Sequence, residues 1–141
     1  MVPPRRAPPL KPIANPVNLN QVTVPALDVA ASVDFYSRLG LELIVSSPHY
    51  ARFKCPEGES SFSVHLVQEL SAASRAIVYF ETQALDERVE ELQRAGLSFS
   101  QEPRDEPWLW REARLSDPSG NVICLYWAGG NRLNPPWRIH P

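Results

Sequence analysis

Residues 21–43, QVTVPALDVAASVDFYSRLGLEL, align without a gap on residues 77–99, IVYFETQALDERVEELQRAGLSF, at an offset of 56 positions. Farther along, YARFKCPEG at 50–58 matches EARLSDPSG at 112–120 at an offset of 62. A unit of about sixty residues is therefore present twice. Two copies are too few for a solenoid, whose units need several neighbours to bury their faces. The pattern predicts two halves of one domain facing each other, with a site where they meet.

Within each copy the hydrophobic period changes in the same order. Gln21-Val22-Thr23-Val24 alternates as a half-buried strand does, and Ile77–Phe80 takes the matching place. A helix follows, predicted over Ala30–Leu39 with Val33, Phe35 and Tyr36 inward, and over Leu85–Ala95 with Leu85, Val89 and Leu92 inward. Gly40 and Gly96 stand just past the helix ends, where a left-handed cap is favoured. Further strands are predicted at Leu41–Ser46, Tyr50–Cys55 and Phe62–Val67, and in the second copy at Leu97–Ser100, Arg111–Ser116 and Val122–Trp127. The unit reads β-α-β-β-β, twice. The expected fold is α+β, with a mostly antiparallel, strongly curved sheet, helices outside and a concave pocket within.

The rest of the chain sets bounds. Its 141 residues and 43% apolar content suit one domain. Prolines crowd into residues 1–16 and into NPPWRIHP at the end, which predicts extended tails at 1–16 and 131–141 around a domain at 17–130, with repeats at 17–70 and 75–130. Trp137 within the last tail is unusual for an extended segment, and docking on the domain or a partner and a free tail both stay open. With 14 basic and 16 acidic residues the net charge is −2, which gives no footprint for nucleic acid or a membrane surface. No apolar run is long enough to span a bilayer and no leader is evident, so a cytoplasmic protein is expected. Cys55 and Cys124 form no paired motif and are read as free thiols.

Strand alternation separates two faces. Val22, Val24, Ala51, Phe53, Val64, Leu66, Val78, Phe80, Ala113, Leu115, Ile123 and Leu125 share the parity expected beneath the helices. The opposite parity carries Gln21, Thr23, Arg52, Ser63, His65, Ile77, Tyr79, Arg114, Cys124 and Tyr126. One polar face is ordinary for an antiparallel sheet. Imidazole, thiol, amide, phenol and guanidinium groups in place of Lys and Glu favour a binding surface.

The strand V-x-V-x-x-x-D at Val22–Asp28, the helix S-x-x-F-Y-x-x-L-G at Ser32–Gly40 and the D-P-x-G-N turn at Asp117–Asn121 resemble the vicinal oxygen chelate superfamily. That superfamily includes glyoxalase I, extradiol dioxygenases and the bleomycin and fosfomycin resistance proteins. The resemblance covers residues 18–127 and implies a small-molecule ligand or substrate and a homodimer. It implies one metal ligand on the first and one on the fourth strand of each copy, positions that hold Gln21, His65, Ile77 and Cys124 here.

Isoleucine cannot coordinate. Gln21, His65 and Cys124 remain as a candidate set for a divalent ion such as Zn, Ni, Fe or Co; alternatively His65 is a polar-pocket residue and Cys124 a packing one. Conventional glyoxalase I chemistry is not expected, because the carboxylate that would serve as base is missing. Arg52 and Arg114, at equivalent positions, are expected to hold a carboxylate or phosphonate, or else to pair with acids such as Glu42 or Glu112. Thr23, Tyr79 and Tyr126 complete the candidate substrate pocket, though tyrosines at a dimer seam would read alike. Trp108 and Trp110 are read as a lid or as plain cover. No catalytic residue is assigned, and Glu81 lies too near a strand end to serve. Two functions are thus open: a metal-dependent lyase, isomerase or dioxygenase, or a metal-free binding or sequestration protein of the bleomycin-resistance type.

Overall fold

The computed structural model describes residues 19–71 and 76–139. The first repeat comprises β1 (Gln21–Ala26), α1 (Val29–Leu39), β2 (Glu42–Ser47), β3 (Tyr50–Lys54) and β4 (Ser61–Leu66). The second comprises β5 (Ile77–Glu81), α2 (Leu85–Arg94), β6 (Gln101–Asp105), β7 (Arg111–Ser116) and β8 (Val122–Trp127). Each repeat closes its own four-stranded sheet, in the orders β1-β4-β3-β2 and β5-β8-β7-β6. The β-α-β-β-β unit stands twice and the pairing is mostly antiparallel, as expected, with the strands divided between two mixed sheets. The first and fourth strands of each run parallel, and the remaining pairs are antiparallel. A helix is what allows the chain to cross over to that parallel partner.

Local chemistry accounts for the helix ends. Asp28 caps α1 by accepting from the Ala31 amide at 3.0 Å. Gly40 (φ 111°) and Gly96 (φ 98°) both take the left-handed conformation that stops each helix and turns it into the next strand. One strand differs from expectation. Leu97, buried, and Phe99, partly buried, drop into the core instead of pairing, so β6 starts only at Gln101, after Ser100 N donates to Arg114 O at 2.8 Å.

The core lies between sheets and helices and merges across both repeats. Val24, Phe35, Tyr36, Phe53, Val64, Leu92, Leu115 and Ile123 belong to one buried cluster, and Phe62 meets Phe80 edge-on at 5.6 Å. The predicted inward parity holds for these strands except at Leu66, exposed at the end of β4. On α1, Phe35 and Tyr36 are buried and Val33 packs at the margin.

A polar seam crosses this core. Tyr36 Oη donates to Asp117 Oδ2 at 2.7 Å, while Asp117 Oδ1 accepts from the Ser119 and Asn121 amides. Asn121 Nδ2 donates to Asp117 Oδ2 and to Pro25 O, and Leu27 N donates to Ser119 Oγ. The F-Y helix and the D-P-x-G-N turn are therefore two ends of one inter-repeat hydrogen bond. Two arginines repeat the exchange on the outside: Arg38 Nη1 donates to Ala95 O and Arg88 Nη2 to Leu39 O, each satisfying a carbonyl at the other helix's C-terminus. Their guanidinium groups approach within 3.0 Å and 2.8 Å of where a Cβ would stand on Gly96 and Gly40.

The N-terminal proline-rich tail expected at 1–16 lies outside the described residues. The C-terminal tail is turned: Gly129–Asn131 form a 3-10 helix, and Arg138 N donates to Pro135 O. Trp137 remains 57% exposed within the chain. No helix among the described residues is long and apolar enough to cross a membrane.

Candidate functional site

The concave parity of the first sheet builds a hydroxyl-rich cluster. Register places Gln21 beside Ser61, Thr23 beside Ser63 and Pro25 beside His65, with Tyr50 and Arg52 facing His65 and Ser63 from β3. Thr23 Oγ1 and Ser63 Oγ lie 2.6 Å apart, Gln21 Nε2 donates to Ser63 at 3.4 Å, and Ser61 Oγ donates to Gln21 Oε1 at 2.8 Å. Arg52 Nε donates to Tyr50 Oη at 2.9 Å, and its guanidinium carbon lies 5.4 Å from the Tyr50 ring centre. A hydrogen bond from Ser63, aided by Arg52 and opposed by burial, holds the Tyr50 phenol below its ordinary range.

The second sheet's concave face is aromatic and partly dry. Trp110 stacks on Tyr126 at 4.7 Å, and Tyr79 meets both rings edge-on at 5.9 Å and 5.5 Å. Cys124, Tyr126 and Ala128 are buried with Ile77 and Trp110 against them. Both tyrosine phenols are raised, by burial first and then by Glu112 for Tyr79 and Glu81 for Tyr126. Leu109, at the β6–β7 turn, holds φ 67°, a conformation rare for a branched residue, in the tip that carries both tryptophans.

Near these rings lies Glu112, expected from the sequence as an alternative partner for the arginines; it does pair with Arg114, and it is buried. Glu112 is 1% exposed, accepts from Trp108 Nε1 at 2.6 Å and Cys124 Sγ at 3.5 Å, and pairs with Arg114 at 3.2 Å. Strand parity carries the signal, since Glu112 shares the face of Arg114, Cys124 and Tyr126. Burial, then the Glu112 charge, pushes the Cys124 thiol up to about 12. Glu81, the other acid on this parity, caps the turn after β8 by accepting from the Ala128 and Gly129 amides.

The donors considered for a metal do not assemble within the chain. Cys124 pairs with Arg114 on β7 as Ser63 pairs with Arg52 on β3, so the first-repeat equivalent of Cys124 is Ser63. His65 is two residues beyond it. Gln21 lies beside Ser61, which puts Gln21 and His65 four strand residues apart, or about 13 Å. One ion would reach both only if each side chain leaned fully toward the other and Gln21 gave up its hydrogen bonds. Among the described residues no three His, Cys, Asp or Glu side chains gather as a metal site. The donor set Gln21, His65 and Cys124 therefore does not fit a resident ion, and a protonated Cys124 donating to Glu112 is a poor ligand besides.

Nor do the two arginines act alike. Arg114 is neutralised by Glu112, whereas Arg52 has no carboxylate partner among the described residues. A cleft of about 560 Å³ lies at the junction of the repeats, lined by Leu39, Arg88, Tyr79 and Trp127. Of the candidate pocket residues it includes Tyr79 but not Thr23, Arg52, Arg114 or Tyr126. Thr23 is exposed and Arg52 and Arg114 are half-buried on the faces away from the helices, and Tyr126 is buried against Trp110.

Solved structures share this fold. A glyoxalase/bleomycin resistance protein/dioxygenase from Nocardioides superposes with a TM-score of 0.70 at 23% identity, covering 90% of this chain and 92% of its own. A lactoylglutathione lyase from Agrobacterium tumefaciens gives 0.69 at 17% identity, covering 86% and 99%. The bleomycin resistance determinant encoded on transposon Tn5 gives 0.64 at 19%, covering 79% and 98%. No curated protein matches the chain significantly. The family model matches residues 18–125, which take in both repeats and the Tyr36–Asp117 seam between them. By that match the chain belongs to the glyoxalase/bleomycin resistance protein/dioxygenase superfamily.

Proposed function

We propose that the protein binds a flat organic small molecule on its concave face, as a binding or sequestration protein of the bleomycin-resistance type. The observation that carries this reading is the trio Tyr79, Trp110 and Tyr126 on the side of the second sheet away from the main core, backed by the Glu112–Arg114 pair. Aromatic faces with a few fixed polar groups are what a small-molecule site requires. A metal-dependent lyase or dioxygenase has less support, because its ligands do not meet.

The active species on this reading is a homodimer. Every residue of β2 is exposed, including Leu43, Ile44 and Val45, an apolar edge strand of the kind that soluble proteins cover. A second copy laid against that edge would also enclose the open faces. Thermal-shift and calorimetric titration of a panel of flat aromatic compounds, bleomycin among them, tests the ligand. At least one compound should bind wild type and lose about tenfold or more in affinity with Tyr79→Ala, a group exposed enough to be cut without unfolding the sheet. Equal binding to both proteins sinks the reading. Near-stoichiometric metal in protein purified without affinity-tag metal, lost on His65→Ala, would restore the enzyme alternative.

A further inference from the structure

We propose that the first sheet carries an oxyanion subsite, formed by Arg52, Tyr50, Thr23, Ser63 and Gln21, which takes the carboxylate or phosph(on)ate group of an organic ligand. The proposal deepens the reading of the concave faces as a ligand surface and rests on it. Three features support it: unspent donors, uncompensated charge and a rigid base.

Arg52 uses its Nε proton on Tyr50 and leaves the other four guanidinium N–H groups without a protein partner among the described residues. Thr23, Ser63 and Tyr50 have three hydroxyl protons for the two contacts among them: with Ser63 donating to Tyr50 and Thr23 donating to Ser63, the Tyr50 proton is left without a partner among the described residues. Ser63 itself is fully buried and also receives Gln21 Nε2, so it anchors the cluster and does not move with solvent.

The charge balance distinguishes this face from its duplicate. In the second sheet the equivalent arginine is matched by Glu112, whereas the acid on the first sheet's side, Glu42, stands opposite Lys54 in the register and forms no ion pair with Arg52. The duplicated scaffold thus holds one neutralised arginine and one that retains its charge beside neutral donors. A planar guanidinium presented with hydroxyls suits oxygen anions, which accept from both types of donor. A cationic or purely apolar group would leave these donors unmatched.

The test is NMR on uniformly labelled full-length protein, following the Arg52 Nε–Hε signal and the Thr23 and Ser63 amides. Acetate and methylphosphonate are titrated separately against sodium chloride at equal ionic strength. Saturable shifts at these signals are expected with at least one of the two anions, acetate reporting a carboxylate ligand and methylphosphonate a phosphonate or phosphate. Arg52→Gln should weaken the response about tenfold, the loss of one charge-assisted hydrogen bond. Arg94→Gln, which removes an exposed surface charge, should leave it unchanged. Thr23→Val supplies a second variant should Arg52→Gln fold poorly, and should weaken binding severalfold. Responses no larger than chloride's, or equally lost in Arg94→Gln, overturn the subsite. Those results would leave aromatic-ligand binding at Tyr79 standing, so the two proposals fail separately.

Discussion

Replacing Tyr36 by Phe removes one oxygen and leaves the ring contacts with Phe35, Phe53 and Phe62 in place. The lost oxygen donates at 2.7 Å to Asp117 Oδ2, and both partners are buried. A hydrogen bond to a charged group contributes about 1.5–3 kcal/mol, and Asp117 keeps its other three donors, so about 2 kcal/mol is expected. That corresponds to roughly 5–8 °C in Tm for a chain of this size. Urea unfolding followed by circular dichroism measures it directly. The stronger test is a double-mutant cycle with Asp117→Asn: if the bond joins the repeats, the coupling should be about 1 kcal/mol or more. A loss below about 0.5 kcal/mol, or strictly additive effects, would refute the claim that this bond ties one repeat to the other.

Other substitutions probe other parts. Gly40→Val and Gly96→Val should each cost at least ~1–2 kcal/mol, because a β-branched residue is strained at positive φ and must also displace Arg88 or Arg38; chemical denaturation of both variants checks it. Glu112→Gln should cost ~1–3 kcal/mol by leaving Arg114 without its counter-charge, with a change in tryptophan emission as Trp108 loses a charged acceptor; an unchanged spectrum and midpoint would contradict the buried pair. Cys124 ionises near 12 when folded but near ~8.5 when unfolded, so the stability it contributes is present below about pH 8.5 and lost as pH rises toward 12. Cys124→Ser should flatten that part of the urea-midpoint profile between pH 8.5 and 11. Thiol labelling at pH 8 should modify half-buried Cys55 and spare Cys124 until the protein unfolds.

The fold was legible because duplication made each half a check on the other. Helix ends at Gly40 and Gly96 and the inward parity of Val24, Phe53, Leu115 and Ile123 are local patterns that a sequence displays directly. The late start of β6 was not, since Leu97 and Phe99 alternate like a strand yet serve the core. Site residues were harder for a related reason. Parity places a side chain on a face but not along it, so His65 was aligned with Cys124 although cross-strand pairing assigns that position to Ser63. Glu112 was expected as an alternative partner for the arginines and does pair with Arg114, but its burial was missed because an acid in a strand reads as solvated unless its neighbours are known. Tyr50 likewise entered the cluster only through its contact with Arg52.

The exchange of arginines between helix ends bears on how such a chain can arise. Both acceptors, Leu39 O and Ala95 O, sit at equivalent places in the two repeats, 56 residues apart. The donors do not, for Arg38 matches Arg94 and Arg88 matches Ser32. Each half consequently holds one donor and one acceptor placed for a twofold partner. Two copies of either half, set in the same relation, would each supply the guanidinium that the other's helix end lacks, as an isologous contact demands. Fusing two such copies would preserve every cross-contact while freeing the two ancestral faces to diverge, and their present contents, hydroxyls around Arg52 on one and rings around Glu112 on the other, are what that freedom permits.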